Sequence, residues 1–115
     1  MTGPGTNGAG AGELRVLLVE DNPADARLVR EMLKDSHRPV VLTHANRLRD
    51  ALECLRTQGF SAILLDLNLP DSEGMNTFLR ARAEAAQAPI VVLTGLADEE
   101  VAARAVREEI GRAHV

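Results

Sequence analysis

The chain has 115 residues, 45% of them hydrophobic and 26% charged, and carries a formal net charge of −4. That length supports one domain around one core, and the acidic balance argues against a nucleic-acid backbone as partner, which would require clustered cations. A single cysteine excludes an internal disulfide or a cysteine-built zinc site, and no apolar run reaches membrane-spanning length.

Met1 to Gly12 reads MTGPGTNGAGAG and holds five of the nine glycines. Residues 1–12 are expected to be a flexible tail, because so little apolar surface cannot offset the cost of ordering the backbone. The start lacks the basic and apolar regions of a signal peptide, so the expected location is the cytoplasm, with no membrane partner. From Leu14 the run LRVLLVE suits a strand buried on both faces. In the following DNPADARLVREMLKDS, Asn22 can cap a helix with Pro23 at its first position, and Leu28, Val29, Met32 and Leu33 form one apolar stripe. Pro39–Thr43 predicts a second strand. Leu48, Ala51, Leu52 and Leu55 then predict a second helix, ended by Gly59 as its cap, with Cys54 as a small filler residue. Ser61–Leu65 predicts a third strand, Met75, Phe78, Leu79 and Ala83 a third helix, and Pro89–Leu93 a fourth strand. Val101, Ala102, Ala105 and Val106 predict a weakly apolar fourth helix. Such alternation of short apolar strands with helices points to an open α/β fold with a parallel sheet and right-handed crossovers.

Ligands of open parallel sheets bind beyond the carboxyl ends of the strands. There the chain places Glu20 and Asp21 after strand one, Asp66 after strand three and Thr94 after strand four. If strands one and three are neighbours, three carboxylates converge and need a cation or a proton to offset their repulsion. Mg²⁺ suits such oxygen ligands, and the backbone carbonyl of Asn68 can add another. Two plainer readings stand beside this one: Asp21 or Asn22 as a helix cap, and Asp66 as a turn residue before Pro70-Asp71-Ser72-Glu73-Gly74. His37 and His44 read as solvated histidines near strand two, away from the acidic edge.

The segments VLLVEDNPADARLV, AILLDLNLPDSEGM and PIVVLTG together resemble the receiver domain of bacterial two-component response regulators, over about Leu14 to Glu108. The resemblance implies the flavodoxin-like doubly wound fold with strand order 2-1-3-4-5. It implies that Asp66 accepts a phosphoryl group from a histidine kinase or phosphotransfer protein, and that Glu20 and Asp21 bind Mg²⁺ directly or through water, completing with Asp66 and the Asn68 carbonyl the expected metal site. It implies that Thr94 contacts the phosphoryl group and switches an effector that this segment does not contain. Such a protein is not an enzyme beyond assisting its own phosphorylation and dephosphorylation.

The chain departs from the family in lacking the fifth strand with its lysine, an aromatic switch residue and the fifth helix. The one lysine is Lys34, against twelve arginines. The receiver is accordingly expected over 13–108, truncated, with 109–115 a non-native tail, since the closing IGRAHV reads as a translated sequencing adapter. Loss of strand five would leave the apolar PIVVL at a sheet edge. Two other functions stay open: a receiver-like interaction module that takes no phosphate, favoured by the missing lysine, and a phosphatase or mutase with an aspartate nucleophile. The latter chemistry usually wants D-x-D on the first strand, whereas Asp66-Leu67-Asn68 follows the third.

Overall fold

The computed structural model describes residues 12–85, 87–93 and 103–110. Among the described residues six strands and three α-helices follow in the order β1 Leu14–Val19, α1 Pro23–Leu33, β2 Val40–Ala45, α2 Leu48–Thr57, β3 Ala62–Asp66, β4 Asn68–Leu69, β5 Ser72–Glu73, α3 Met75–Glu84 and β6 Ile90–Leu93. A π-helical segment, Ala105–Ile110, follows. β2, β1, β3 and β6 form one sheet in that order, every pair parallel.

The run of leucines and β-branched residues in β1 is explained by a core on each side of it. Leu14, Val16 and Leu18 meet Ala62 and Leu64 of β3 and, from α1, Ala26, Val29 and Leu33. Leu17 and Val19 meet Ile63 and Leu65 of β3 together with Leu48, Ala51 and Leu52 of α2 and Ala81 of α3. Alternate side chains of a strand point to opposite faces, so a strand covered by helices on both sides must be apolar throughout. Ala103 and Val106 close the α1 side, and Arg107 donates from Nη1 to the carbonyl of Met32 at 3.1 Å, tying the last segment to α1.

Several local expectations shift. β2 runs two residues further than Thr43, which brings His44 into the sheet. β3 includes Asp66 as its last residue. On α1 the buried positions are Ala26, Val29 and Leu33, while Leu28 is 37% exposed. α2 ends in an extended Gln58, and Gly59 is not in the left-handed region that a glycine cap uses. α3 buries Thr77 and Ala81, packs Phe78 against the core and leaves Met75 (64%) and Leu79 (57%) exposed, so of the predicted stripe Phe78 faces inward while Met75, Leu79 and Ala83 do not. Of the fourth helix, Val101 and Ala102 lie outside the described residues.

The segment after Asp66, expected as a loop, contains a small antiparallel hairpin that pairs Asn68 with Glu73 and Leu69 with Ser72. It leads into α3 through Gly74, whose φ of 67° lies in a region that side chains with a Cβ avoid.

Candidate functional site

Register alone brings the acids together. Val19 of β1 lies opposite Leu65 of β3, so the next residue of each strand, Glu20 and Asp66, stand side by side at the carboxyl edge. One carboxylate oxygen from each of Glu20, Asp21 and Asp66 lies within 4.8 Å of the others. Glu20 is 2% exposed, Asp66 half-buried and Asp21 exposed.

The two plainer readings are resolved by the hydrogen bonds. Asn22 is the cap of α1, its Oδ1 accepting from the amides of Ala24 (2.8 Å) and Asp25 (3.1 Å). Asp21 is therefore not needed as the cap and stands in the cluster. Asp66 does make a turn bond, with Oδ1 accepting from the Asn68 amide at 2.9 Å, while also belonging to the cluster.

The electrostatics follow from burial. Removal from water pushes the Glu20 carboxyl up from 4.5 to about 8, against the Asn22 amide that donates to its Oε2 at 3.1 Å. Hydrogen bonding and negative charge from Asp66, and the charge of Asp25, push it further in the same direction. A buried acid beside a second carboxylate is costly to ionise unless a proton or a cation offsets its charge. The donor set, three carboxylates converging at one edge, matches a hard divalent cation and fits Mg²⁺.

Asn68 lies on β4, its backbone amide on Asp66. Thr94 lies outside the described residues, and the residue before it, Leu93, pairs with Asp66 in the sheet register. His44, which the sequence placed away from the acidic edge, hydrogen-bonds through Nε2 to the carbonyl of Glu20 at 2.7 Å. Its strand is longer than the sequence suggested, and Ala45 accepts from the Glu20 amide at 3.0 Å. His37 is exposed.

Sequence reasoning missed the support beneath Asp66. Thr77 is fully buried, and its Oγ1 shares a 2.7 Å hydrogen bond with Ser72 Oγ and donates to the Leu67 carbonyl at 3.1 Å. Asp71 accepts from the amides of Leu48 and Arg49 at the start of α2, each at 2.9 Å. Neither contact has a sequence signal of its own, since the partners are far apart in the chain or look like ordinary turn residues.

A doubly wound parallel sheet with acids from two strand ends at its carboxyl edge defines the class: a flavodoxin-like α/β domain with an acidic rim. Within that class, a family profile described as the response regulator receiver domain matches residues 16–112. The chain is 42% identical over 83 residues to the sensor protein TorS of Escherichia coli K12, covering 71% of this chain and 8% of that protein. It is 34% identical over 87 residues to the cell cycle response regulator CtrA of Brucella ovis, covering 76% of this chain and 37% of that protein. Among solved structures it resembles the receiver domain of a sensor histidine kinase from Pseudomonas aeruginosa PAO1 with a magnesium ion coordinated in its active-site cleft. That similarity has a TM-score of 0.63 and 30% identity, over 71% of this chain and 67% of the other. A CheY-like receiver domain from Methylobacillus flagellatus matches with a TM-score of 0.60 and 28% identity, over 75% and 79% of the two chains. The chain belongs to the response regulator receiver domain family of two-component systems.

Proposed function

We propose that this receiver domain takes a phosphoryl group on Asp66 from a phosphohistidine of a histidine kinase or phosphotransfer protein, with Mg²⁺ at the acidic cluster. The observation that carries this reading is the convergence of the Glu20, Asp21 and Asp66 oxygens within 4.8 Å, with Asp66 ending a strand buried on both faces. β3 fixes Asp66 at the rim, and the Asn68 amide holds one of its oxygens at 2.9 Å. In the transfer a carboxylate oxygen of Asp66 attacks phosphorus. The new O–P bond forms as the P–N bond to the donor breaks, and the electron pair returns to the ring nitrogen of an imidazole protonated on its other nitrogen. Glu20, Asp21 and Asp66, with the Asn68 carbonyl, would hold Mg²⁺, which when bound offsets the negative charge that otherwise repels the incoming phosphoryl group. Thr94 is assigned the hydroxyl contact to the transferred group, and through it the switch to an effector. The domain acts as a signalling module rather than as an enzyme on a separate substrate.

Acetyl phosphate with Mg²⁺ tests this directly. The full chain is expected to gain the mass of one phosphoryl group, lost in Asp66→Asn and on chelating the metal. Turnover of a phosphorylated small molecule would point to the phosphatase reading instead.

A second reading, a receiver that works as an interaction module without phosphate, is favoured by the position of Lys34. It follows the last turn of α1 and pairs with Glu31 at 3.0 Å. The eleven residues of α1 set it about 16 Å from the acidic edge, so it brings no cation to Asp66. An unmodified chain that still binds Mg²⁺ would establish this second reading.

A further inference from the structure

The N-terminus of α2 lacks a cap of its own. Arg47 occupies the capping position in an extended conformation and makes no side-chain hydrogen bond to the helix. The first helical amides, which no intrahelical carbonyl can satisfy, are taken instead by Asp71, more than twenty residues further along the chain. Its Oδ1 accepts from Leu48 and its Oδ2 from Arg49, both at 2.9 Å. Although exposed, Asp71 is held below the usual carboxylate range: desolvation is the largest single effect and works the other way, but the amides of Arg49 and Leu48, its own amide and the charge of Arg47 together outweigh it. The two bonds are charge-assisted and lie at the positive end of the helix dipole.

Asp71 is also, with Pro70, one of the two turn residues between β4 and β5, five positions after Asp66. The other end of the hairpin is pinned separately. The Gly74 amide donates to the Leu67 carbonyl at 2.9 Å, and Thr77 holds the same carbonyl and Ser72. Between these anchors lies Asn68, whose amide fixes Asp66 Oδ1. A two-stranded ribbon this short does not hold its shape in water unaided.

We propose, resting on the phosphoacceptor reading above, that Asp71 is a positioning residue for the acidic cluster: by seating both carboxylate oxygens on the first amides of α2, it holds the β4–β5 hairpin and thereby the Asn68 amide and carbonyl against Asp66. α2 thus serves the site although none of its side chains enters it.

The test separates capping from tethering. Arg47→Ser supplies α2 with a local cap and is the parent for comparison. Arg47→Ser combined with Asp71→Ala keeps a capped α2 but cuts the hairpin loose. The expected result is similar urea stability for the two, loss of hydrogen-exchange protection at the Asn68 amide in the double variant, and weakening of its Mg²⁺ affinity by about tenfold, the low end for residues that orient metal ligands. Titration with Mg²⁺ alone, followed by amide NMR, gives the last two quantities on the same sample. Unchanged Mg²⁺ affinity in the double variant overturns the proposal. So does a weakened affinity with Asn68 protection intact, which would make the effect one of charge alone. A parent that takes up no Mg²⁺ refutes the phosphoacceptor reading instead, and with it any positioning role for Asp71.

Discussion

Glu20 is the residue where folding and chemistry pull against each other. The apolar end of β1 and the packing around it remove its carboxyl from water, and the acid answers by keeping its proton up to about pH 8. A cation must displace that proton. Mg²⁺ affinity is therefore expected to rise with pH, by up to about tenfold per unit below the Glu20 pKa, and to level off above it. Calorimetric titrations between about pH 6 and 9 check this, and Glu20→Gln should flatten the profile while weakening binding. Without a cation the linkage has the opposite sense. A carboxyl whose folded-state pKa is raised stabilises the fold fully below its unfolded value of 4.5, and that contribution is lost as pH rises through about 8. Metal-free protein should accordingly be more stable to urea at pH 5 than at pH 8 as far as Glu20 is concerned, and Glu20→Gln should narrow the difference.

Helices and strands differ in how plainly they announced themselves. β1 and β3 were legible because burial on both faces demands unbroken apolar runs, and α1 because Asn22-Pro23 is a start signal that the structure uses as expected. The third helix was legible only in part. Met75 and Leu79 helped to supply the period, yet the buried positions are Ala81 and Thr77, whose hydroxyl is consumed by Leu67 and Ser72. A polar residue inside cannot be told from one outside without knowing its partners. The β4–β5 hairpin was invisible because two residues per strand carry no periodicity. Two substitutions test these elements. Asn22→Ala should cost about 1 kcal/mol of stability, the usual worth of a cap, with little change in Mg²⁺ affinity, since its side chain caps the helix and the bond to Glu20 comes from the backbone amide, which alanine keeps. Thr77→Val, nearly isosteric, should cost about 1–3 kcal/mol by leaving the Leu67 carbonyl without this donor. Urea denaturation measures both, and equal stability of Thr77→Val and the parent would show that the hydroxyl network does not hold the hairpin.

For the molecule as a whole, the acidic edge and the stability of the sheet are one system. The three acids are fixed by parallel pairing of β1 and β3, so a cation that binds only the paired arrangement must stabilise it. At free Mg²⁺ ten times its dissociation constant the fold should gain about 1.4 kcal/mol. Thermal melts with and without Mg²⁺ measure the shift, which Asp66→Asn should largely remove. The sequence conveyed this global arrangement well, because strand ends and their order determine which residues share an edge. What it could not convey was the support from α2, since Asp71 and the amides it meets are joined only by folding.

The burial of β3 on both faces has a consequence for signalling. Ala62, Ile63, Leu64 and Leu65 have no solvent exposure at all and are wedged between two cores. A seat so confined gives its occupant no room to recoil when bulk and charge are added to Asp66. The strand acts as an anvil, and the neighbouring loops must absorb the blow, so modification should perturb the amides of Glu20 and Asn68 while those of Leu64 and Leu65 barely register it.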